Sequence, residues 1–283
     1  MDELDHYALI LTLIIYLVKF LCYYIYVINM NEENLIKYYN KFNEEKRLDS
    51  KHNKVEFITA LKYINEYIKK GDKIIDIGAG TGKYSKYFKD NGYDVTAVEL
   101  VKHNLKQIEK KNIKCYLGNA IDLSQFNDNT YDITLLFGPM YHLISMDDKI
   151  KALNEAKRIT KENGYIFISY CMNEFAIIKH GFIDNNILKE KNIIDDDFKI
   201  NPKDTDLYSF VRLEDIDYLK DITNLKRIKI INEDGPTEYM KDSINKMDDE
   251  TFELFIKYHL SICERKELLG TGRHILEILK KQC

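Results

Sequence analysis

Residues Ile74–Ser85 read IIDIGAGTGKYS, and this stretch decides the fold. Lys73–Ile77 is a short β-branched run with the character of a strand. Gly78, Gly80 and Gly82 interrupt it, and Tyr84–Asn91 continues as a helix with Gly92 placed to cap it. Glycine tolerates positive φ and close backbone approach, and a helix N-terminus leaves N–H groups unpaired. A strand, a glycine turn and a helix in that order therefore form a cradle for an anionic or polar ligand group. The spacing excludes two common cradles. A dinucleotide fingerprint needs a third glycine at position 83, which is Lys83, and a phosphate-binding P-loop needs Ser or Thr after that lysine, where Tyr84 stands.

Working outward, the chain alternates short apolar runs with amphipathic helices. Asp94–Val98 is a second strand ending at Glu99, Asn104–Lys111 is helical, and Lys114–Leu117 is a third strand. Tyr131–Phe137 is a strong fourth strand bounded by Gly138-Pro139. Asp147–Thr160 places Ile150, Leu153, Ala156 and Ile159 on one helical face. Gly164 reads as a breaker before a fifth strand, Tyr165–Tyr170. Five strands alternating with helices predict a parallel, doubly wound α/β sheet. Upstream, Val55–Ile68 is an amphipathic helix. Downstream, Leu225–Ile231 and His274–Leu279 are sixth and seventh strand candidates, and Thr237–Glu267 reads as one helical span. Asn173–Asn224 is polar, and its Asp195–Asp197 run reads as a solvated loop.

The central segment, with Asp76 two residues before Gly78 and a G-x-G-x-G pattern, resembles the first motif of class I S-adenosylmethionine-dependent methyltransferases. The resemblance continues through Glu99, which follows Gly82 by seventeen residues, through GNAIDL (Gly118–Leu123), and through Tyr131-Asp132 and Gly164, covering Lys73–Tyr170. It implies a Rossmann-like, doubly wound, seven-stranded and mostly parallel sheet with helical cap elements, and S-adenosyl-L-methionine as cofactor. The residues implied for cofactor binding are Asp76, Gly78, Ala79, Gly80, Gly82, Glu99, Asn119, Ala120 and Phe137. A carboxylate at Glu99 suits a ribose diol, since it accepts two hydrogen bonds. Asp76 reads either as a cofactor ligand or as a structural acceptor tying the loop. Asn119 stands where many members have Asp; an amide both donates and accepts, which keeps adenine recognition open. The segments RLDSKHNKVEF (Arg47–Phe57), FGPMYHL (Phe137–Leu143), YHLSICER (Tyr258–Arg265) and GRHILEILKK resemble one bacterial subgroup of these enzymes with no settled substrate.

The acceptor is expected beyond the carboxyl end of the fourth strand, where ligands lie in open α/β sheets. His142 is the candidate general base and Tyr141 the candidate pocket wall. Amino-methylating nucleic-acid enzymes carry an Asp/Asn-Pro-Pro-aromatic tetrad at this place. Here it reads Gly138-Pro139-Met140-Tyr141, which argues against base methylation. His52, His259 and Arg265 are second-tier candidates, and Tyr38 and Tyr39 are placed to close over the cofactor. Gly138–Leu143 carries no carboxylate, so no metal is expected. Asp147-Asp148 reads as a helix start.

Composition agrees with a globular protein. Hydrophobic residues are 45% and charged ones 31% of 283, with 42 Lys plus Arg against 46 Asp plus Glu and a net charge of −4. There is no overall basic footprint for nucleic acid. Five cysteines, an odd number with no CxxC pair, suggest neither a disulfide framework nor a zinc site. The exception is Tyr7–Ile28, apolar at all but Thr12 and Lys19. As a helix it would be ~33 Å long, enough for a bilayer core. It reads as a membrane anchor tethering a cytoplasmic catalytic domain, as an extension upstream of a start at Met30, or as a packed helix. The expected organisation is residues 1–29 as this apolar segment, 30–72 as a helical cap, 73–171 as the cofactor-binding core, and 172–283 as a cap insertion plus the last strands. The leading function is methyl transfer to an O or N atom of a small-molecule acceptor. A non-catalytic cofactor-binding regulator and an RNA or tRNA methyltransferase are the alternatives. The oligomeric state is left open.

Overall fold

The computed structural model describes residues 13, 14, 16, 32–41 and 44–282. The apolar run 7–28 and the start at Met30 lie almost wholly outside the described residues. No helix among the described residues is long and apolar enough to cross a membrane.

Seven strands form one sheet: β1 (Lys73–Ile77), β2 (Asp94–Glu99), β3 (Lys114–Leu117), β4 (Tyr131–Leu136), β5 (Thr160–Cys171), β6 (Lys226–Asn232) and β7 (His274–Lys280). Their order is β3-β2-β1-β4-β5-β7-β6. The neighbours from β3 to β5 are parallel, and β7 runs antiparallel to both β5 and β6. The order reverses between β1 and β4, which makes their carboxyl ends the switch point where such sheets bind ligands. Strands buried on both faces need apolar residues throughout, and β1 and β4 show this: Ile74, Ile75, Ile77, Ile133, Leu135 and Leu136 are all buried.

Two apolar layers sandwich the sheet. On one face the helix Met146–Ile159 packs Ala152, Leu153, Ala156 and Ile159 against Ile166, Ile168 and Leu279. On the other, the helix Lys51–Tyr67 packs Ala60, Tyr63 and Ile64 beside Phe88, Ile108 and Phe167. Fully burying one such aliphatic side chain contributes about 1.5–3 kcal/mol, so these layers dominate the stability of the sheet.

Two expectations are corrected. Gly164 does not end an element, because β5 runs through it. Asn163 has φ of +64°, and a Cβ at Gly164 would meet the carbonyl oxygens of Asp132 and Lys161 at 2.9 Å. Gly164 therefore serves a close approach inside a bent strand. The span Thr237–Glu267 is not one helix. It divides into Lys241–Lys246 and Asp249–Ile262, because the Asp248 side chain accepts from Thr251 N at 2.7 Å and starts a new helix.

Candidate functional site

The glycine turn has the left-handed geometry its composition implies: Gly78, Gly80 and Gly82 have φ of +70°, +56° and +81°. The N–H groups of Gly78 and Ala79 both donate to Val98 O, at 2.8 and 3.1 Å, which ties the turn to the end of β2. A Cβ at Gly78 would stand 2.5 Å from Pro139 Cδ, so the loop after β4 closes directly on this glycine. Gly82 opens the helix Lys83–Asp90 and packs on Ile108, with 3.1 Å between its would-be Cβ and Ile108 Cγ1.

A cavity of about 250 Å³ opens at the switch point. Its lining includes Asp76, Gly78, Ala79, Gly80, Glu99, Asn119, Ala120, Phe137, Tyr141 and His142. Of the residues implied for cofactor binding, with His142 and Tyr141, Gly82 alone is absent from that wall and shapes the turn from behind; of the two tyrosines expected to close over the cofactor, Tyr39 lines the cavity and Tyr38 does not.

Glu99 is buried, and its two oxygens accept from Gly80 N at 2.7 Å and Val101 N at 2.8 Å. Burial pushes its carboxyl up to about 7, against the pull of these two amides. A carboxylate has about four lone-pair positions, so each oxygen retains capacity for a further donor. Asp76 lines the cavity and also accepts from Ser85 Oγ at 2.6 Å, which ties it to the helix after the turn. Burial raises it to about 6. Asn119 does two things: its Oδ1 accepts from Ile121 N at 3.2 Å, and its Nδ2 donates to Glu32 Oε1 at 2.5 Å. Glu32 belongs to the helical residues 32–39, so that helix is clasped to the loop after β3.

His142 follows the turn Pro139–Tyr141 and is buried. Its Nδ1 lies 2.8 Å from Leu207 O and its Nε2 lies 2.8 Å from Tyr39 Oη. A carbonyl only accepts, so the proton sits on Nδ1 and Nε2 accepts from the tyrosine O–H. Burial holds the imidazole down at about 4, so it is neutral at physiological pH. Lys149, also buried, donates to Leu143 O and to Ser209 Oγ, fixing the loop that follows His142. Tyr141 stacks on Tyr208, with ring centroids 6.2 Å apart at 27°.

A charged network forms part of this wall, at Glu44 and Arg47, and continues behind it. Arg47 makes a two-pronged contact with Glu56 at 2.8 and 3.0 Å and a third with Glu44 at 2.8 Å. His274 Nδ1 lies 2.9 Å from Asp234 and 3.6 Å from Glu56. Burial alone would raise Glu56, but the charges of Arg47 and His274 bring it down to about 2. The second-tier candidates divide. His52 bonds Asn245 at 3.0 Å and so joins two helices, and His259 sits between Thr59 and the Glu233 carbonyl at 3.1 and 3.2 Å, which ties its helix to Lys51–Tyr67 and to the residue after β6. Arg265 is an exposed residue paired with Glu267 and does not cover the site. Glu44, Arg47, Asn104 and Leu207 were not singled out from sequence. Only the Glu44–Arg47 spacing, an i,i+3 charge pair, offered a signal.

The residues present fit S-adenosylmethionine. Three buried polar atoms without a partner among the described residues, Glu44 Oε2, Tyr84 Oη and Asn104 Oδ1, belong to residues that line this cavity. Orphaned buried polar atoms cost about 1–3 kcal/mol each, which a polar ligand would relieve. A methyltransferase-domain family model matches residues 75–168. An uncharacterized methyltransferase of Schizosaccharomyces pombe is 32% identical over 125 residues, 38% of this chain and 43% of that protein. A demethylmenaquinone methyltransferase of Paenarthrobacter aurescens is 35% identical over 105 residues, 36% of this chain and 40% of its own length. The chain thus spans about two fifths of the length of these curated relatives. Among solved structures, the geranyl diphosphate C-methyltransferase of Streptomyces coelicolor, in complex with Mg2+, geranyl diphosphate and S-adenosyl-L-homocysteine, superposes with a TM-score of 0.56 and 12% identity. That superposition covers 89% of this chain and 97% of that one. Sheet order, glycine turn and the match over residues 75–168 agree on the class: the chain contains a methyltransferase domain.

Proposed function

We propose that this protein transfers a methyl group from S-adenosylmethionine to an oxygen or nitrogen atom of a small molecule. The observation that carries this reading is the Tyr39–His142–Leu207 chain, whose first two residues line the same cavity as the glycine turn and Glu99. S-adenosylmethionine supplies an electrophilic methyl carbon on a sulfonium. Glu99, Gly78, Ala79, Gly80, Asn119 and Ala120 would hold it, with Glu44 Oε2 and Asn104 Oδ1 available to its polar groups. Leu35, Tyr39, Pro139, Leu143 and Ile144 line the cavity and exclude water from the acceptor.

Tyr39 is the group within reach of the acceptor, and His142 stands behind it. As the acceptor O–H or N–H gives its proton to the Tyr39 oxygen, the tyrosine proton passes to His142 Nε2. Nδ1 keeps its proton throughout and donates it to Leu207 O, which keeps the ring oriented. Tyr141 walls the pocket. Titration with S-adenosylhomocysteine tests the binding half of this reading, and a methyl-donor turnover screen on small hydroxy and amino compounds tests the chemistry. Binding without turnover on any acceptor class would favour a cofactor-binding regulator. Salt-dependent RNA binding would favour an RNA substrate.

A further inference from the structure

Lys149 stands in the first turn of the helix Met146–Ile159 and is 1% exposed, sealed like Leu153 and Ala156 further along that helix. Among the described residues no carboxylate lies within ion-pair distance of its amine. The two acids whose charge reaches it, Asp148 and Asp215, are paired with Lys151 and Lys199. Burial pulls the ammonium down to about 7. A lysine sealed in this way costs stability in either form. The charged form loses its hydration, and the neutral form gives up a proton that it would keep in water. The helix N-terminus adds to the cost, because its partial charge is positive.

What this side chain holds is the surround of His142. Its Nζ donates to Leu143 O and to Ser209 Oγ, the latter at 2.6 Å. Leu143 directly follows His142. Ser209 lies two residues beyond Leu207, whose carbonyl accepts from His142 Nδ1 at 2.8 Å. The contacts close a ring, from the imidazole through Leu143 to Nζ, on to Ser209, and back through Leu207 to the imidazole. Ser209 N also donates to Tyr141 O at 2.9 Å, and Ser209 Oγ to Leu143 O at 3.1 Å. An amine has at least two N–H groups whether or not it is protonated, so Nζ serves both acceptors in either form. Lys149 is not part of the cavity wall, so it reaches the site only through the groups it holds. The bond made at one imidazole nitrogen fixes the tautomer and leaves the other nitrogen free to accept.

Resting on the Tyr39–His142 relay of the proposed function, we propose that Lys149 is a positioning residue for it. By fixing Leu207–Ser209 against the loop after β4, Lys149 holds the imidazole in its Nδ1–H tautomer with Nε2 turned to Tyr39. A sealed lysine is kept here, at a cost in stability, because the relay needs that orientation. The test is imidazole nitrogen NMR of the full chain at pH 7, with thermal unfolding, on the wild type, K149M and S209A. The His142 signals are assigned by their absence from H142N. Wild-type His142 is expected in the Nδ1–H form alone. K149M should melt at the wild-type temperature or above, because an apolar chain of similar volume removes the burial cost and leaves Leu143 O bonded to Ser209 Oγ. Its His142 should nonetheless populate both tautomers. S209A opens the ring from the other side and should show the same mixture. A single Nδ1–H tautomer in K149M or in S209A overturns the proposal. So does a K149M chain that melts lower or fails to fold, which would make Lys149 a part of the core. A wild-type His142 outside the Nδ1–H form is a separate result, and it defeats the relay itself.

Discussion

The phenol oxygen of Tyr39 stands 2.8 Å from Nε2 of His142, across 103 positions of sequence. The imidazole lone pair is therefore covered by the tyrosine, and any proton reaching His142 from the cavity passes through Tyr39. Substituting Tyr39→Phe removes the relay and retains the ring. It should lower kcat by about 100-fold, the lower range for general acid–base catalysis, with S-adenosylhomocysteine affinity unchanged. An unchanged kcat would remove Tyr39 from the chemistry. The relay also has a pH signature. His142 is held at about 4, so the neutral base persists well below the range of an ordinary histidine. At saturating cofactor, kcat should show no loss between pH 7 and pH 5.5; a fall centred near 6.5 contradicts the relay.

Cofactor binding should depend on pH through Glu99. Its carboxyl is raised to about 7, so it is largely protonated at pH 6 and ionised at pH 8. The acid form has fewer acceptor positions for a diol. Affinity for S-adenosylhomocysteine should therefore rise as pH rises through 7. Glu99→Gln should bind more weakly at pH 8 and lose this dependence. Calorimetric titrations at several pH values decide it, and a flat profile in the wild-type protein excludes Glu99 from the diol contact.

Gly78 cannot carry a side chain without displacing Pro139. The Gly78→Ala variant places a Cβ 2.5 Å from Pro139 Cδ at φ of +70°. Strain of this kind costs about 1–3 kcal/mol, and the loop carrying Tyr141 and His142 must shift to relieve it. Lower thermal stability together with lost cofactor affinity is expected. A variant with wild-type melting and binding would show that the loop moves freely.

The Arg47–Glu56 contact is buried and two-pronged, so removing one partner is worse than removing both. Glu56→Ala leaves Arg47 and His274 without their shared carboxylate and should destabilise the fold by about 3–5 kcal/mol. The folded pKa of Glu56 is depressed to about 2, below the unfolded value near 4.5. Its contribution is complete above the unfolded pKa and is lost as pH falls toward 2. Denaturant unfolding at pH 7 and pH 3 should show the variant's deficit shrinking in acid; a deficit independent of pH would place the cause in packing.

The strands of the core were readable because their period and punctuation are local. Lys73–Ile77 and Lys114–Leu117 match the expectation, and β2 and β4 differ by one residue. Gly164 misled because a glycine demanded by a neighbouring carbonyl looks the same in sequence as one that ends an element. The break at Asp248 was hidden within an apolar helical pattern, where one capping side chain outweighed the period. Arg265 was grouped with the site by a motif that also holds His259, yet it points to solvent.

The sequence by itself determined the doubly wound sheet, the glycine turn and the acid at the end of β2. Strand period, glycine spacing and the strand–turn–helix order are properties of consecutive residues. Only the tertiary structure decided which groups face one another around the cavity. Tyr39 meets His142, Glu32 meets Asn119, and Glu56 meets both Arg47 and His274 through contacts between distant segments. It likewise brought Lys149 to Ser209 across 60 positions of sequence. Such contacts follow from how helices 32–39 and Lys51–Tyr67 lie over the sheet, and no periodicity encodes them.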